Sequence, residues 1–212
     1  MTPGGSARGA FIVLEGGEGS GKSTQARLLA ARVLASGFEV VETFEPGGTP
    51  RGAALRAALL DDDTPLDAHA ELLMMAADRA QHVAEVVAPA LARGAVVVCD
   101  RFSPSTLAYQ GVGRGIGVDV VDAIDALVVR DARPDVVIVL DVPDAVARAR
   151  RPDARDRLER AGDEFHSVVR AAYRDLAAAR GWIVVDGSAE PPAVAELVWS
   201  AVAPHLPGSR SI

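Results

Sequence analysis

Phe11-Ile-Val-Leu-Glu-Gly-Gly-Glu-Gly-Ser-Gly-Lys-Ser-Thr24 is the stretch whose reading decides the fold. The apolar run from Phe11 to Leu14 predicts a buried strand, which breaks into Gly16-x-x-x-x-Gly21-Lys22-Ser23 before a helical pattern begins at Thr24. That spacing is a P-loop. Gly16, Gly17, Gly19 and Gly21 let backbone N–H groups curl round a polyphosphate, with Glu18, Ser20 and Thr24 completing the expected ATP-binding loop, and the next helix N-terminus adds a favourable dipole. Lys22 supplies a point charge for the β- and γ-phosphates, and Ser23 offers its hydroxyl to Mg²⁺. Lys22 is also the only lysine in the chain, every other basic side chain being arginine. A planar guanidinium cannot replace a compact ammonium wrapped by backbone amides.

The 212 residues predict a single domain over 10–206, with a disordered lead at 1–9 and a tail at 207–212. Cys99 is the only cysteine, so no internal disulfide can form and a reducing, cytoplasmic setting is expected. The net charge of −7 argues against a nucleic-acid partner, and no apolar run approaches the length of a membrane span.

Downstream, helical spacing runs from Thr24 to Ser36 through Ala26, Leu28, Leu29, Val33 and Leu34. A strand is expected over Phe38–Thr43, followed by the loop Phe44-Glu-Pro-Gly-Gly-Thr-Pro-Arg51. Helices are expected over Gly52–Leu60 and Leu66–Ala92, separated by an acidic turn at 61–65. Ala95–Cys99 and Val136–Leu140 are continuous apolar runs of the kind found in a parallel sheet covered on both faces. After the first comes Asp100-Arg101-Phe102, and Ser103-Pro104 then predicts an N-cap followed by a helix on which Thr106, Tyr109 and Gln110 share a face. Further helices are expected over Val118–Val129, Asp144–Arg151, Asp163–Arg180, with Val168 among the inward residues of the last, and Ala193–Ala203; the final strand is Trp182–Val185. The alternation predicts a doubly wound α/β domain with a five-stranded parallel sheet flanked by helices, its ligands beyond the carboxyl ends of the strands.

A phosphate loop alone leaves kinase, GTPase and motor ATPase open. The chain has no asparagine and no second lysine, so an Asn-Lys-x-Asp guanine-reading motif is absent; Asp100 is followed by Arg101 rather than by the acidic residue usual in motor ATPases. An arginine just beyond a central strand, ahead of a helix whose first-turn amides point the same way, predicts a second anion site facing the first. Two phosphate sites in one cleft imply transfer between them.

Four motifs carry a resemblance. Asp100-Arg-Phe-Ser-Pro-Ser-Thr-Leu-Ala-Tyr-Gln-Gly111, Glu45-Pro-Gly-Gly-Thr49, Ala76-Ala-Asp-Arg-Ala-Gln-His82 and Asp156-Arg-Leu-Glu159, in that family's order along the chain and with an arginine-rich segment nearby, resemble the signatures of bacterial thymidylate kinases. The resemblance implies a P-loop kinase of the nucleoside monophosphate type, phosphoryl transfer from ATP to dTMP giving dTDP and ADP, and a homodimer. It also implies an acceptor region at about 44–82 and a lid at about 148–160. Arg101 and Arg56 would hold the acceptor phosphate, Arg79, Thr106 and Gln110 would read the thymine edge, and Tyr109 would pack under the sugar. Glu18, Glu45 and Pro46 would lie near sugar and acceptor, while Arg148, Arg151 and Arg155 would serve the lid, with Arg150 and Arg157 in or beside it and the Ser188-Ala189 turn bordering adenine.

This sequence departs from that pattern twice. Phe44 stands where the family has an arginine before Glu-Pro-Gly-Gly, and Met75 stands where an aromatic side chain stacks on thymine. An altered base preference, for dUMP or a modified pyrimidine, is therefore an alternative, as is a non-catalytic ATP-dependent switch. The nucleophile would be a phosphate oxygen already ionised near neutral pH, so no general base is expected, and His69, His82, His166 and His205 are read as surface or capping residues.

Overall fold

The computed structural model describes residues 8–60, 65–150, 157, 158, 160 and 162–208. Five parallel strands, β1 (Phe11–Glu15), β2 (Val40–Phe44), β3 (Val96–Asp100), β4 (Val136–Asp141) and β5 (Ile183–Asp186), lie in the order β2-β3-β1-β4-β5. β1 is therefore central, Leu14 standing level with Asp100 on one side and Ile138 on the other. Glu15, Phe44, Asp100, Asp141 and Asp186 are the last residues of their strands, so all five carboxyl ends open on one edge.

The apolar runs exist because both sheet faces are covered. Phe11 and Val13 of β1, with Val97 and Cys99 of β3, pack on one side against α3 (Ala68–His82), α4 (Ala88–Ala92), α6 (Val118–Val129) and α8 (Asp163–Arg180). Ile12, Leu14, Val96 and Val98 face the other way, onto α1 (Lys22–Ala35) and α9 (Pro191–Val202). Each fully buried side chain of this size contributes about 1.5–3 kcal/mol. Ala26, Leu29, Ala30 and Val33 form the buried stripe of α1, whereas Leu28 and Leu34 are exposed. Val168 likewise points outward from α8, the buried residues being Val169, Ala172, Tyr173, Leu176 and Ala177.

Helix α2 (Pro50–Leu60) precedes the acidic turn, of which 61–64 lie outside the described residues, and Asp67 caps α3 by accepting from the His69 and Ala70 amides. The expected helix to Ala92 is continuous but widens into a π-helical turn at Val83–Val87. Pro89 explains the widening: an α-helical turn would press its ring onto the Glu85 carbonyl. A second π-helical stretch, Leu107–Gly113, continues α5 (Ser103–Thr106). α7 (Asp144–Ala149) follows β4; residues 151–156, 159 and 161 of the expected lid lie outside the described residues, as do 1–7 and 209–212.

Candidate active site

The P-loop is built by backbone geometry before any side chain acts. Gly16 has φ +136° and packs so close to the Leu140 carbonyl that a Cβ would sit 2.4 Å from that oxygen. Only glycine fits there. Lys22 begins α1, is buried, and donates from Nζ to the Gly17 carbonyl at 2.8 Å and to Ser20 Oγ at 3.5 Å. Burial and the neighbouring Arg101 charge both pull its pKa below the ordinary lysine value, the Glu18, Asp100 and Glu15 carboxylates opposing them. The Ser23 hydroxyl donates to Asp100 Oδ2 at 2.5 Å, while Asp100 Oδ1 is buried with no hydrogen-bond partner.

A cavity of about 610 Å³ opens between this loop and the carboxyl ends of β2 and β3. The structure brings together on its walls Glu18, Glu45, Pro46, Arg56, Met75 and Arg79, and with them Arg101, Thr106, Tyr109 and Gln110. Lys22 and Ser23 line it too. Its size suits a nucleotide-scale ligand.

Arg101 adopts φ +70°, a left-handed conformation unfavourable for a residue with a Cβ. Its Nη1 donates to the Gly16 carbonyl at 3.2 Å, so it bonds the phosphate loop directly. The same nitrogen donates to Ser105 Oγ at 3.0 Å and to the Tyr173 hydroxyl at 3.3 Å, and Nη2 pairs with Glu18 and Tyr109. Arg79 is held otherwise: Nε donates to Glu45 Oε2 at 2.9 Å, Nη1 to Asp125 at 3.3 Å and Nη2 to the Thr106 hydroxyl at 2.9 Å. Arg56 donates to the Pro46 carbonyl at 2.7 Å and lies over the Phe44 ring. Gln110 donates its amide to Glu71 at 2.6 Å.

Three expectations are corrected. His82 is fully buried between Glu45 Oε1 at 2.8 Å and Thr43 Oγ1 at 2.7 Å, and so stands behind two residues of the cavity wall rather than at the surface. Gly48 makes room for it, since a Cβ there would meet both the Phe44 carbonyl and the His82 ring. Ser103 is no N-cap: it is the first residue of α5 and donates to Asp125 at 2.7 Å. The cap is supplied from β1, where Glu15 Oε1 accepts from the Phe102 amide at 2.8 Å and the Ser105 amide at 3.2 Å. Two of the amides expected at a second anion site, those of Phe102 and Ser105, are thus already taken by a carboxylate of the chain.

Arg148 pairs with Asp163 at 2.7 Å on the surface and borders a small cleft beside Gly17 and Glu18. Arg157 is turned inward, donating to the Leu59 carbonyl and pairing with Glu71 at 2.6 Å. Arg150 donates to the Gly187 and Ser188 carbonyls and lines a cavity of about 210 Å³ with Gly21, Thr24 and Ala189. Arg151 and Arg155 lie outside the described residues. Glu15, Ser105, Asp125 and Tyr173 escaped assignment to the site from sequence; the available signal was polar residues ending or following apolar strands, which require partners when buried.

A phosphate loop with a second cationic group bonded to it, both lining a nucleotide-sized cavity on a β2-β3-β1-β4-β5 sheet, defines a P-loop kinase of the nucleoside monophosphate type. The thymidylate kinase family model matches residues 14–198. The chain is 49% identical over 199 residues to the thymidylate kinase of Synechococcus sp. (strain JA-2-3B'a(2-13)), covering 93% of this chain and 96% of that one. It is 51% identical to the thymidylate kinase of Halothermothrix orenii over 84% of this chain and 89% of the relative. The solved structure of thymidylate kinase from Ehrlichia chaffeensis superimposes with a TM-score of 0.78 at 32% identity, covering 92% and 99% of the two chains. The chain belongs to the thymidylate kinase family, and its reaction is ATP-dependent phosphorylation of dTMP to dTDP.

Proposed function

We propose that transfer takes place in the 610 Å³ cavity, with Lys22 on the donor phosphates and Arg101 on the acceptor phosphate. The observation that carries this reading is the bond from Arg101 to the Gly16 carbonyl, which makes the two cationic centres parts of one crevice. Glu18 on Arg101 marks a place where an anion already sits. An incoming phosphate displaces or shares that contact. The backbone amides of Gly16 to Thr24 cradle the triphosphate, as oriented loop amides do for anions.

Ser23 and Asp100 would hold Mg²⁺, since a buried carboxylate oxygen without a partner beside a hydroxyl suits a cation that takes one or two protein oxygens and completes its shell with phosphates and water. The ion would neutralise charge shared between the phosphates.

On the acceptor side Arg79 and Thr106 offer hydrogen bonds to the base edge, and Gln110, whose amide nitrogen is committed to Glu71, keeps its oxygen for a base N–H. Tyr109, Glu45 and Pro46 bound the sugar end, Arg56 supports the phosphate, and Met75 packs on the base. Arg148, Arg151 and Arg155 supply positive charge from the segment 148–160, which acts as a lid and keeps water from the phosphoryl group. The domain spans 10–206, and the cytoplasm is the setting that suits its single, buried thiol. Leu73 on α3 and Leu127 on α6, exposed on neighbouring helices, give a homodimer an apolar contact.

Steady-state assays with ATP, Mg²⁺ and a panel of dTMP, dUMP, dCMP, UMP and thymidine test the reading, run on material whose mass is read by light scattering. ADP formation should depend on the acceptor and be fastest with dTMP, in a particle of twice the chain mass. Slow ADP release indifferent to acceptor would leave only an ATP-driven switch.

A further inference from the structure

Arg101 does not reach its position through charge pairing alone. Its Nη1 edge is met by two hydroxyls, Ser105 Oγ at 3.0 Å from four residues along the chain and Tyr173 OH at 3.3 Å from a distant part of it. Both of those oxygens lie against a single carboxylate oxygen: Ser105 donates to Glu15 Oε2 at 2.7 Å, and Tyr173 donates to the same atom at 2.8 Å. A hydroxyl has one proton to give. With that proton committed to Glu15, each oxygen can present only lone pairs to Arg101, and the 2.9 Å approach of the two hydroxyls to each other cannot compete without giving up a bond to the carboxylate. Glu15 Oε1 meanwhile holds the Phe102 and Ser105 amides, so its orientation is fixed from both ends.

Tyr173 is the distant member. It is fully buried on α8, the helix that follows segment 148–160 in the chain, and its ring stands edge-on to Tyr109 with centroids 6.4 Å apart. Neither hydroxyl is charged. They direct the guanidinium without consuming its positive charge, which a carboxylate in the same place would do.

We propose that Tyr173 and Ser105 are positioning residues for phosphoryl transfer, their hydroxyls, oriented by Glu15, setting the plane in which Arg101 meets the acceptor phosphate. This inference rests on the reading of Arg101 as the acceptor-phosphate group. The left-handed backbone at Arg101 makes such support necessary, since an unfavourable conformation persists only where its surroundings over-determine it.

Tyr173→Phe removes one oxygen and keeps the ring. Its kcat/KM for dTMP should fall about tenfold, the weight of one hydrogen bond to a charged group, through both a lower kcat and a higher KM for dTMP. The KM for ATP and acceptor-free ATP hydrolysis should stay at parent values. Val169→Ala, a cavity on the same buried face of α8, serves as the packing control and should lower the melting temperature without changing that ratio of kinetic constants. Ser105→Ala should repeat the Tyr173→Phe kinetic pattern and carries the test alone if Tyr173→Phe does not fold. Parent-like dTMP kinetics in a folded Tyr173→Phe or Ser105→Ala protein overturns the proposal, and so does a loss that falls equally on ATP and tracks melting temperature as in Val169→Ala. Arg101→Leu keeps the two ideas apart: if it retains parent dTMP kinetics, the reading of Arg101 itself is at fault, whereas an impaired Arg101→Leu beside unaffected hydroxyl variants rejects only the positioning role.

Discussion

Arg79 and Arg101 line one cavity, yet the neighbourhoods that hold them differ in kind. Around Arg79 stand two carboxylates, Glu45 and Asp125, with the Thr106 hydroxyl, and Glu45 is braced in turn by buried His82. Burial works against the Arg79 cation, and those carboxylates more than offset it, holding its pKa above the ordinary arginine value. Around Arg101 stand two neutral hydroxyls, a peptide carbonyl, the Tyr109 ring and hydroxyl, and one directly bonded carboxylate, Glu18, that is itself partly open to solvent; burial opposes this cation too, and Glu18 above all, with Asp100 behind it, holds its pKa well above the ordinary arginine value. The difference teaches what each guanidinium is free to do. In the function proposed above, a cation tied on three sides to carboxylates and a hydroxyl of its own wall serves as a rigid hydrogen-bonding surface for an uncharged base. A cation whose one bonded carboxylate is partly open to solvent can, in that same function, exchange that partner for a phosphate.

The sharpest way to break this contrast is to remove each arginine in turn. Arg79→Leu strands Glu45 in the interior, and breaking a buried pair from one side costs about 3–5 kcal/mol, so urea unfolding should show a large loss of stability together with lost activity. Arg101→Leu should leave the unfolding midpoint much nearer the parent while kcat/KM for dTMP falls by about 10²–10³, as when one preorganised donor is removed from an active site. Equal stability losses in the two variants would mean that Arg101 is as much a part of the wall as Arg79.

How far each neighbourhood could be read from the sequence follows the same line. The phosphate loop was legible because its chemistry is local: Gly16 to Ser23 contain the turn, the charge and the hydroxyl together, and the apolar runs on either side of Arg101 place it at a strand end. Arg79 and Arg101 could be brought to one cavity by motif resemblance, but their partners could not be read from spacing. Glu15 lies 158 residues from Tyr173, and nothing in the periodicity of either element links them. Ser103-Pro104 looked like a self-sufficient cap because local rules know nothing of a carboxylate arriving from β1. His82 looked peripheral because polarity alone suggests exposure, whereas a histidine with an acceptor on one ring nitrogen and a hydroxyl on the other is satisfied inside. Leu28, Leu34 and Val168 erred the other way, apolar residues at the margin of a stripe that the core does not reach.

The two ends also differ in acid. Glu71, at the base end, accepts from Gln110, Arg114 and Arg157. Burial pushes its pKa up, but those three hydrogen bonds and the Arg114 charge outweigh burial and hold it below the ordinary value of 4.5. A carboxylate depressed on folding contributes stability that is complete above its unfolded pKa and drains away as the pH falls through the folded one. Urea midpoints measured from neutrality down through about pH 4 should therefore converge for the parent and Glu71→Gln, because acid removes from the parent what the substitution has already removed. Parallel curves would show that Glu71 is not held ionised by its neighbours. Arg101 has no counterpart to this loss, since its guanidinium does not titrate anywhere in that range.

The smallest effect is expected where the wall is softest. Met75 lines the cavity and packs beside Leu59 and Leu158, filling with a flexible thioether a place where a ring could lie flat against a base. Base–aromatic stacking is worth about 1–3 kcal/mol, and a thioether on the same face already makes part of that contact. Met75→Phe should accordingly lower the KM for dTMP by a few-fold, a gain of about 1 kcal/mol or less, and leave kcat unchanged, because the added contact is made equally in the ground state and the transition state. The ring has room to project into the 610 Å³ cavity rather than into the core, so the overpacking penalty of about 1–3 kcal/mol seen in filled interiors should not appear in the unfolding midpoint. A rise in kcat would contradict the division drawn here, since it would give the base end a hold on the chemical step that the contrast reserves for Arg101 and its hydroxyls. A KM that falls for dUMP as much as for dTMP would sharpen it, placing the discrimination between those bases in the hydrogen-bonding surface of Arg79, Thr106 and Gln110 and leaving to residue 75 only the face of the ring.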